Sequence, residues 1–143
     1  MYSASVALNA RSKSAALTEK QKSKIAVGIL SGLVYIHQQG VVHSDIKSAN
    51  ILLTESLVPK ICDFGVSVLR KAVSEHTGSV SQGVTVLGIT ERYAAPEAKQ
   101  LHMVTSKSDV YSAAFVLWEL WTMQLLERVQ DTAELLQHAA PRG

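Results

Sequence analysis

Three features of the sequence predict a mainly α chain carrying a small β-hairpin, class α+β. Between Thr18 and Gly40, the residues Ile25, Ile29, Leu33 and Ile36 recur at helical spacing. From Ser106 to Thr122 a second helical stretch is apolar on most sides, with Val110, Ala113, Ala114, Val116, Leu117, Leu120 and Trp121. A helix apolar all round is a buried one. Between these stretches two short apolar runs, Ile51–Leu53 and Val58–Cys62, flank the polar turn Glu55-Ser56 and read as a hairpin.

Local signals set the ends of these elements. Thr18, followed three residues later by Gln21, has the form of a capping box and should start the first helix. Gly40 is a natural stop for it, because glycine tolerates the left-handed backbone that ends helices. Val41-Val42 is long enough only for a strand stub leading into His43. The hairpin then presents a polar loop, His43 to Asn50, before its first strand, and Asp63 just after its second. Antiparallel pairing brings those two ends together, so Asp45, Asn50 and Asp63 are expected to converge. Two carboxylates, an amide oxygen and the nearby Lys47 make a site for a hard divalent cation with a phosphate.

Composition excludes several function classes. The 143 residues carry a net charge of +2, with 47% hydrophobic and 18% charged residues. This suits one globular unit and shows no bias toward nucleic acid or an anionic membrane surface. No run of about 18 apolar residues is present to span a bilayer. Met1–Ala16 lacks the apolar core of a secretory signal, so the expected location is cytoplasmic, with the nucleus as the alternative. The single cysteine, Cys62, fits a reducing compartment and reads as a small strand residue.

The run His43-Ser44-Asp45-Ile46-Lys47-Ser48-Ala49-Asn50, followed by Asp63-Phe64-Gly65, resembles the protein kinase family. That family's catalytic loop reads H-R-D-x-x-x-x-N and is followed by D-F-G. The resemblance implies a partial protein-kinase-like fold: helices of the larger, C-terminal lobe around a central buried helix, with the small hairpin. It implies ATP and Mg²⁺ as cofactors and a protein serine or threonine as phosphate acceptor. By resemblance Asp45 is the catalytic aspartate, Lys47 screens the moving phosphoryl group, and Asn50 and Asp63 hold the metal. Leu52 would form the floor under the adenine ring. His43 would pack beneath Phe64 in an apolar stack.

The resemblance extends further along the chain. Residues 70–89 are rich in serine and glycine and occupy the position of an activation segment. Thr90-Glu91-Arg92-Tyr93-Ala94-Ala95-Pro96-Glu97 looks like the peptide-docking loop, with Thr90 bonded near Asp45 and Lys47. Asp109, at the start of the second long helix, would bind the backbone of the catalytic loop. Asp109-Val110-Tyr111-Ser112 with Leu117-Trp118-Glu119-Leu120 most resembles the tyrosine-kinase-like group of serine/threonine kinases. The family's usual arginine after the histidine is Ser44 here, so activity is expected to depend little on activation-segment phosphorylation.

The expected organisation is a frayed lead-in over residues 1–16, a partial kinase domain over 17–122, and a divergent C-terminal helix and tail over 123–143. A helical turn at Val6–Leu8 and a pairing of Arg128 with Glu97 are further expectations. No stretch matches the family's glycine-rich loop, its ATP-contacting lysine or that lysine's glutamate partner. The 143 residues alone are therefore expected to be inactive. The alternative is a kinase-derived module that binds a partner kinase or scaffold protein without transferring phosphate, and a third reading is a piece of a longer kinase.

Overall fold

The computed structural model describes residues 2–3, 17–64, 68–69, 84–85, 90–101, 103–126 and 129. Residues 70–83 and 86–89, Val6–Leu8, Arg128 and the stretch 130–143 lie outside this set, and with them the activation-segment, Glu97–Arg128 and C-terminal helix expectations.

The first strand, β1 (Tyr2–Ser3), is followed by α1 (Glu19–Gln38) and β2 (Val41–Val42). A short 3₁₀ turn at Ser48–Asn50 leads into β3 (Ile51–Leu53) and β4 (Pro59–Ile61). Then come β5 (Val68–Leu69), β6 (Val84–Thr85), α2 (Pro96–Leu101), β7 (Met103–Val104) and α3 (Ser106–Thr122).

Helix α1 starts where the capping box places it. The Gln21 amide donates to Thr18 Oγ1 at 3.3 Å, and the Thr18 amide donates to Gln21 Oε1 at 2.9 Å. The helix ends at Gly40, whose φ of 73° lies in the left-handed region. Its inner stripe, Ile25, Ala26, Ile29 and Leu33, is buried, while Val27, Val34 and Tyr35 face outward.

The hairpin pairs Ile51 with Ile61, Leu52 with Lys60 and Leu53 with Pro59. Its turn is closed by the Thr54 amide on the Val58 carbonyl and by the Val58 amide on Thr54 Oγ1, each at 3.0 Å. Tyr2–Ser3, expected within a lead-in without structure, adds a third strand, pairing Tyr2 with Leu53 and Ser3 with Leu52.

The hairpin lies against α1 because α1 carries a glycine at the crossing. A Cβ on Gly28 would stand 2.5 Å from Pro59 Cγ, and one on Gly32 would stand 3.2 Å from Ile61 Cδ1. Two glycines four residues apart share one helix face, so the strand can approach the helix backbone.

Helix α3 spans the predicted residues, with Thr105 as its N-cap. Its burial is one-sided, which corrects the expectation of a helix apolar and buried on most sides. Val110 is 55% and Trp121 43% exposed, and Ala114 is exposed too. The buried face contains Ser108, Asp109, Ser112 and Glu119 beside Ala113, Val116 and Leu120. Among the described residues, α1 packs on α3, and His43, Ser44 and Tyr93 bond to its buried Asp109 and Ser112. The apolar residues Leu33, Ile46, Ile51, Leu53, Tyr93, Val116 and Leu126 join in one core cluster linking α1, the hairpin and α3. A smaller cluster joins Val42, Ala94, Ala95, Ala98 and Val104. No helix of the described residues is long and apolar enough to cross a membrane.

Candidate active site

The polar loop between β2 and β3 is held by one carboxylate on α3. Asp109 is 1% exposed. Its Oδ2 accepts from the His43 amide and bonds His37 Nε2, both at 2.8 Å. Its Oδ1 accepts from the Ser44 amide at 2.8 Å. Ser44 has a φ of 71°, a strained conformation for a residue with a side chain, and the bonds to Asp109 hold it there. Among the described residues, the buried Ser44 hydroxyl oxygen has no hydrogen-bond partner.

His43 is fully buried and stacks on Phe64, with ring centroids 4.9 Å apart. The Asp45 amide donates to its Nδ1 at 3.3 Å, so Nδ1 carries no proton. Nε2 is therefore the protonated nitrogen of the neutral ring, and it donates to the Cys62 carbonyl at 3.0 Å. This histidine ties the loop to the end of the hairpin.

Asp45 then lies at the centre of a compact network. Its Oδ1 accepts from the Thr90 hydroxyl at 2.6 Å, and its Oδ2 is 2.7 Å from Lys47 Nζ. Lys47 Nζ also donates to Thr90 Oγ1 at 2.9 Å. Asn50 Nδ2 donates to the Asp45 carbonyl at 2.8 Å and to Oδ2 at 3.0 Å. Burial pushes the Asp45 carboxyl upward. The hydrogen bonds from Lys47 and Thr90, the Lys47 charge and the Asn50 bond outweigh it and hold the group below the ordinary carboxylate range. Asp45 is thus a carboxylate at neutral pH, an acceptor for a hydroxyl.

Asp45, Lys47, Asn50 and Thr90 are brought together directly, whereas Asp63 is placed by strand pairing. The Cys62 amide donates to the Asn50 carbonyl at 2.9 Å, which puts Asp63 one residue beyond a bond to Asn50. Asp63 is exposed and has a φ of 63°. Both of these Asn50 side-chain bonds use the amide nitrogen, so the amide oxygen would be the atom available to an ion. A carboxylate and an amide oxygen are the hard donors that Mg²⁺ takes, so these residues fit that ion. Half-buried Leu52 occupies the middle strand, between Ser3 and Lys60. The Cys62 thiol is pushed up by burial, with Asp63 adding to the shift, so it stays protonated at neutral pH.

Sequence reasoning overlooked a second network behind residues 90–97. Glu119 is fully buried in α3. Its Oε1 accepts from the Tyr93 hydroxyl and from the Leu126 amide, both at 2.7 Å. The Ser112 hydroxyl donates to the Tyr93 carbonyl at 2.8 Å. An acidic residue inside the apolar run Val116–Leu120 was the available signal, since buried carboxylates need partners. His37 was also missed, because nothing in the spacing relates it to Asp109.

The sequence profile describing the protein kinase domain matches residues 2–141. The chain belongs to the protein kinase family. It is 38% identical over 112 residues to a probable serine/threonine-protein kinase of Dictyostelium discoideum, covering 78% of this chain and 11% of that one. It is 40% identical over 102 residues to the serine/threonine/tyrosine-protein kinase HT1 of Arabidopsis thaliana, covering 71% and 24%. With the proto-oncogene serine/threonine-protein kinase mos of Sus scrofa it shares 41% identity over 106 residues, covering 71% and 28%. The kinase chain therefore spans between about a tenth and somewhat over a quarter of the length of these relatives.

Proposed function

We propose that this chain forms the catalytic part of the larger lobe of a protein serine/threonine kinase. It acts in transfer of the ATP γ-phosphate to a hydroxyl of a protein substrate. The observation that carries the reading is the Asp45–Lys47–Thr90 triangle, with all three sides between 2.6 and 2.9 Å. Phosphoryl transfer requires mainly an oriented hydroxyl and neutralised charge. Asp45, held ionised, accepts the hydrogen bond of the incoming hydroxyl. Lys47 sits beside it and screens the charge of the transferred group. Thr90 locks both side chains and fastens the docking loop to them.

Bound Mg²⁺ with ATP would supply the phosphoryl group and neutralise its charge. Asn50 and Asp63 are the residues that would hold the ion, and Leu52 would lie under the adenine ring. Partners are a protein substrate and ATP, with a partner kinase or scaffold protein as a further candidate and no role for nucleic acid. The place of action is cytoplasmic or nuclear. As residues 1–143 offer no match to the family's phosphate-covering loop or its lysine–glutamate pair, phosphotransfer requires those groups from elsewhere.

Calorimetric titration of Mg-ATP into the 143-residue chain tests the reading. Binding is expected to be weak, with Kd above about 10 μM, and Asp63→Asn should abolish it. A radiolabelled ATP assay with Asp45→Asn as control should show no transfer by the isolated chain. Binding that survives Asp63→Asn would overturn this assignment, whereas tighter binding or incorporation above the Asp45→Asn control would overturn only the expectation that the isolated chain is inactive.

A further inference from the structure

The docking loop is attached to the rest of the chain at a place the catalytic network does not use. Arg92 Nη1 donates to the Leu126 carbonyl at 3.1 Å and to the Val129 carbonyl at 2.7 Å. One residue along, the Tyr93 hydroxyl shares Glu119 Oε1 with the Leu126 amide. Two adjacent loop residues thus engage Leu126 from both sides, one through its carbonyl and one through the carboxylate bound to its amide. Leu126 itself is fully buried in the main core cluster, so the anchor is rigid.

We propose that Arg92 is a positioning residue for Thr90, and through it for Asp45 and Lys47. By clamping the Leu126 and Val129 carbonyls it fastens the docking loop to the chain that follows α3. Transmission from Arg92 to Thr90 is short. The Tyr93 amide donates to the Thr90 carbonyl at 3.0 Å and the Ala94 amide to the Glu91 carbonyl at 3.2 Å. Residues 90–94 therefore form one hydrogen-bonded turn that moves as a unit. Tyr93 is buried and pinned from beneath by Ser112 and Glu119, while Arg92 is exposed and holds the outer edge. Releasing Arg92 leaves the turn hinged on Tyr93, free to swing the Thr90 hydroxyl away from Asp45.

Guanidinium geometry suits the task. The two N–H bonds of one nitrogen reach two carbonyls without adjustment, whereas an ammonium on a flexible stem is less pre-organised for both. Arg92→Lys is thus expected to restore part of what Arg92→Ala loses. The segment after α3 acquires a role by the same argument, as the outer support of the substrate-facing loop.

The inference rests on the proposed site, and the experiment separates the two. Three-bond couplings in the labelled 143-residue chain report the Thr90 χ1 rotamer. That rotamer is single while Oγ1 is held between Asp45 and Lys47. Asp45→Ala combined with Lys47→Met, which removes both partners directly, should give averaged couplings. Arg92→Ala should also average them and should raise amide exchange at residues 91–94 about tenfold, leaving exchange in α1 and α3 unchanged. Arg92→Lys should fall between Arg92→Ala and the unaltered chain. A single Thr90 rotamer in Arg92→Ala beside averaged couplings in the Asp45→Ala and Lys47→Met double variant would overturn the positioning role alone. A single rotamer with both Asp45→Ala and Lys47→Met in place would overturn the site itself. Exchange rising equally in α1 and α3 would make Arg92 an element of general stability, also against the proposal. If Arg92→Ala unfolds the chain, Arg92→Lys carries the same comparison.

Discussion

Replacing Asp109 by asparagine should cost the chain much of its stability, although the two side chains have nearly the same shape. The aspartate accepts three hydrogen bonds at 2.8 Å on two oxygens. Asparagine has one acceptor oxygen. If that oxygen takes the place of Oδ2, the bonds to His43 and His37 survive and the Ser44 amide faces an NH₂ group. In the opposite orientation two bonds are lost instead of one. The cheaper arrangement forfeits one bond to a charged acceptor, about 1.5–3 kcal/mol, and strands a buried donor, about 1–3 kcal/mol. The expected loss is therefore about 3–5 kcal/mol, a large part of the roughly 5–15 kcal/mol that holds a typical domain together. Urea unfolding of both chains measures it, with an unchanged slope showing that the denatured states match. Amide exchange at His43 and Ser44 should accelerate further than exchange in the middle of α1. A loss below about 1 kcal/mol, with both amides still protected, would refute the claim that Asp109 holds the loop between β2 and β3 in its strained shape.

Three other changes test separate parts of the structure. Gly28→Ala should destabilise by about 1–2 kcal/mol, since the clash with Pro59 outweighs the helix propensity that alanine adds, whereas Gly32→Ala meets only a movable Ile61 methyl and should be neutral or stabilising; urea midpoints of the two distinguish them. Ser44→Gly should stabilise by about 1 kcal/mol, because it relieves the left-handed strain and removes a buried hydroxyl without a partner, and the extra chain entropy of glycine takes back part of that gain; thermal unfolding is the measure. Asp45 has a folded pKa below its ordinary 3.8, so its contribution is present above that value and is lost as pH falls through the lower folded value. Unfolding measured in steps from about pH 5 to about pH 2 should therefore show the unaltered chain losing more stability than Asp45→Asn across that window.

Much of this protein was decided by local sequence. The span of α1 follows from Thr18, Gln21 and Gly40, because capping is settled within one helical turn. The span of α3 follows from helical periodicity over seventeen residues. The hairpin follows from two apolar runs around a polar turn, and its pairing brings Asp63 beside Asn50 whatever else the chain does. The order of Asp45, Lys47, Asn50 and Asp63 carries the resemblance to the family. Tertiary structure alone decided which side of α3 is covered, since Val110 and Trp121 are as apolar as Val116 and Leu120 and only the position of α1 separates them. It also chose the partners of the buried charges. Asp109 meets His37 across 72 positions and Glu119 meets Tyr93 across 26, and no local pattern relates residues so far apart. A carboxylate sealed in the core must find donors wherever packing brings them, so its identity is legible in the sequence and its partners are not.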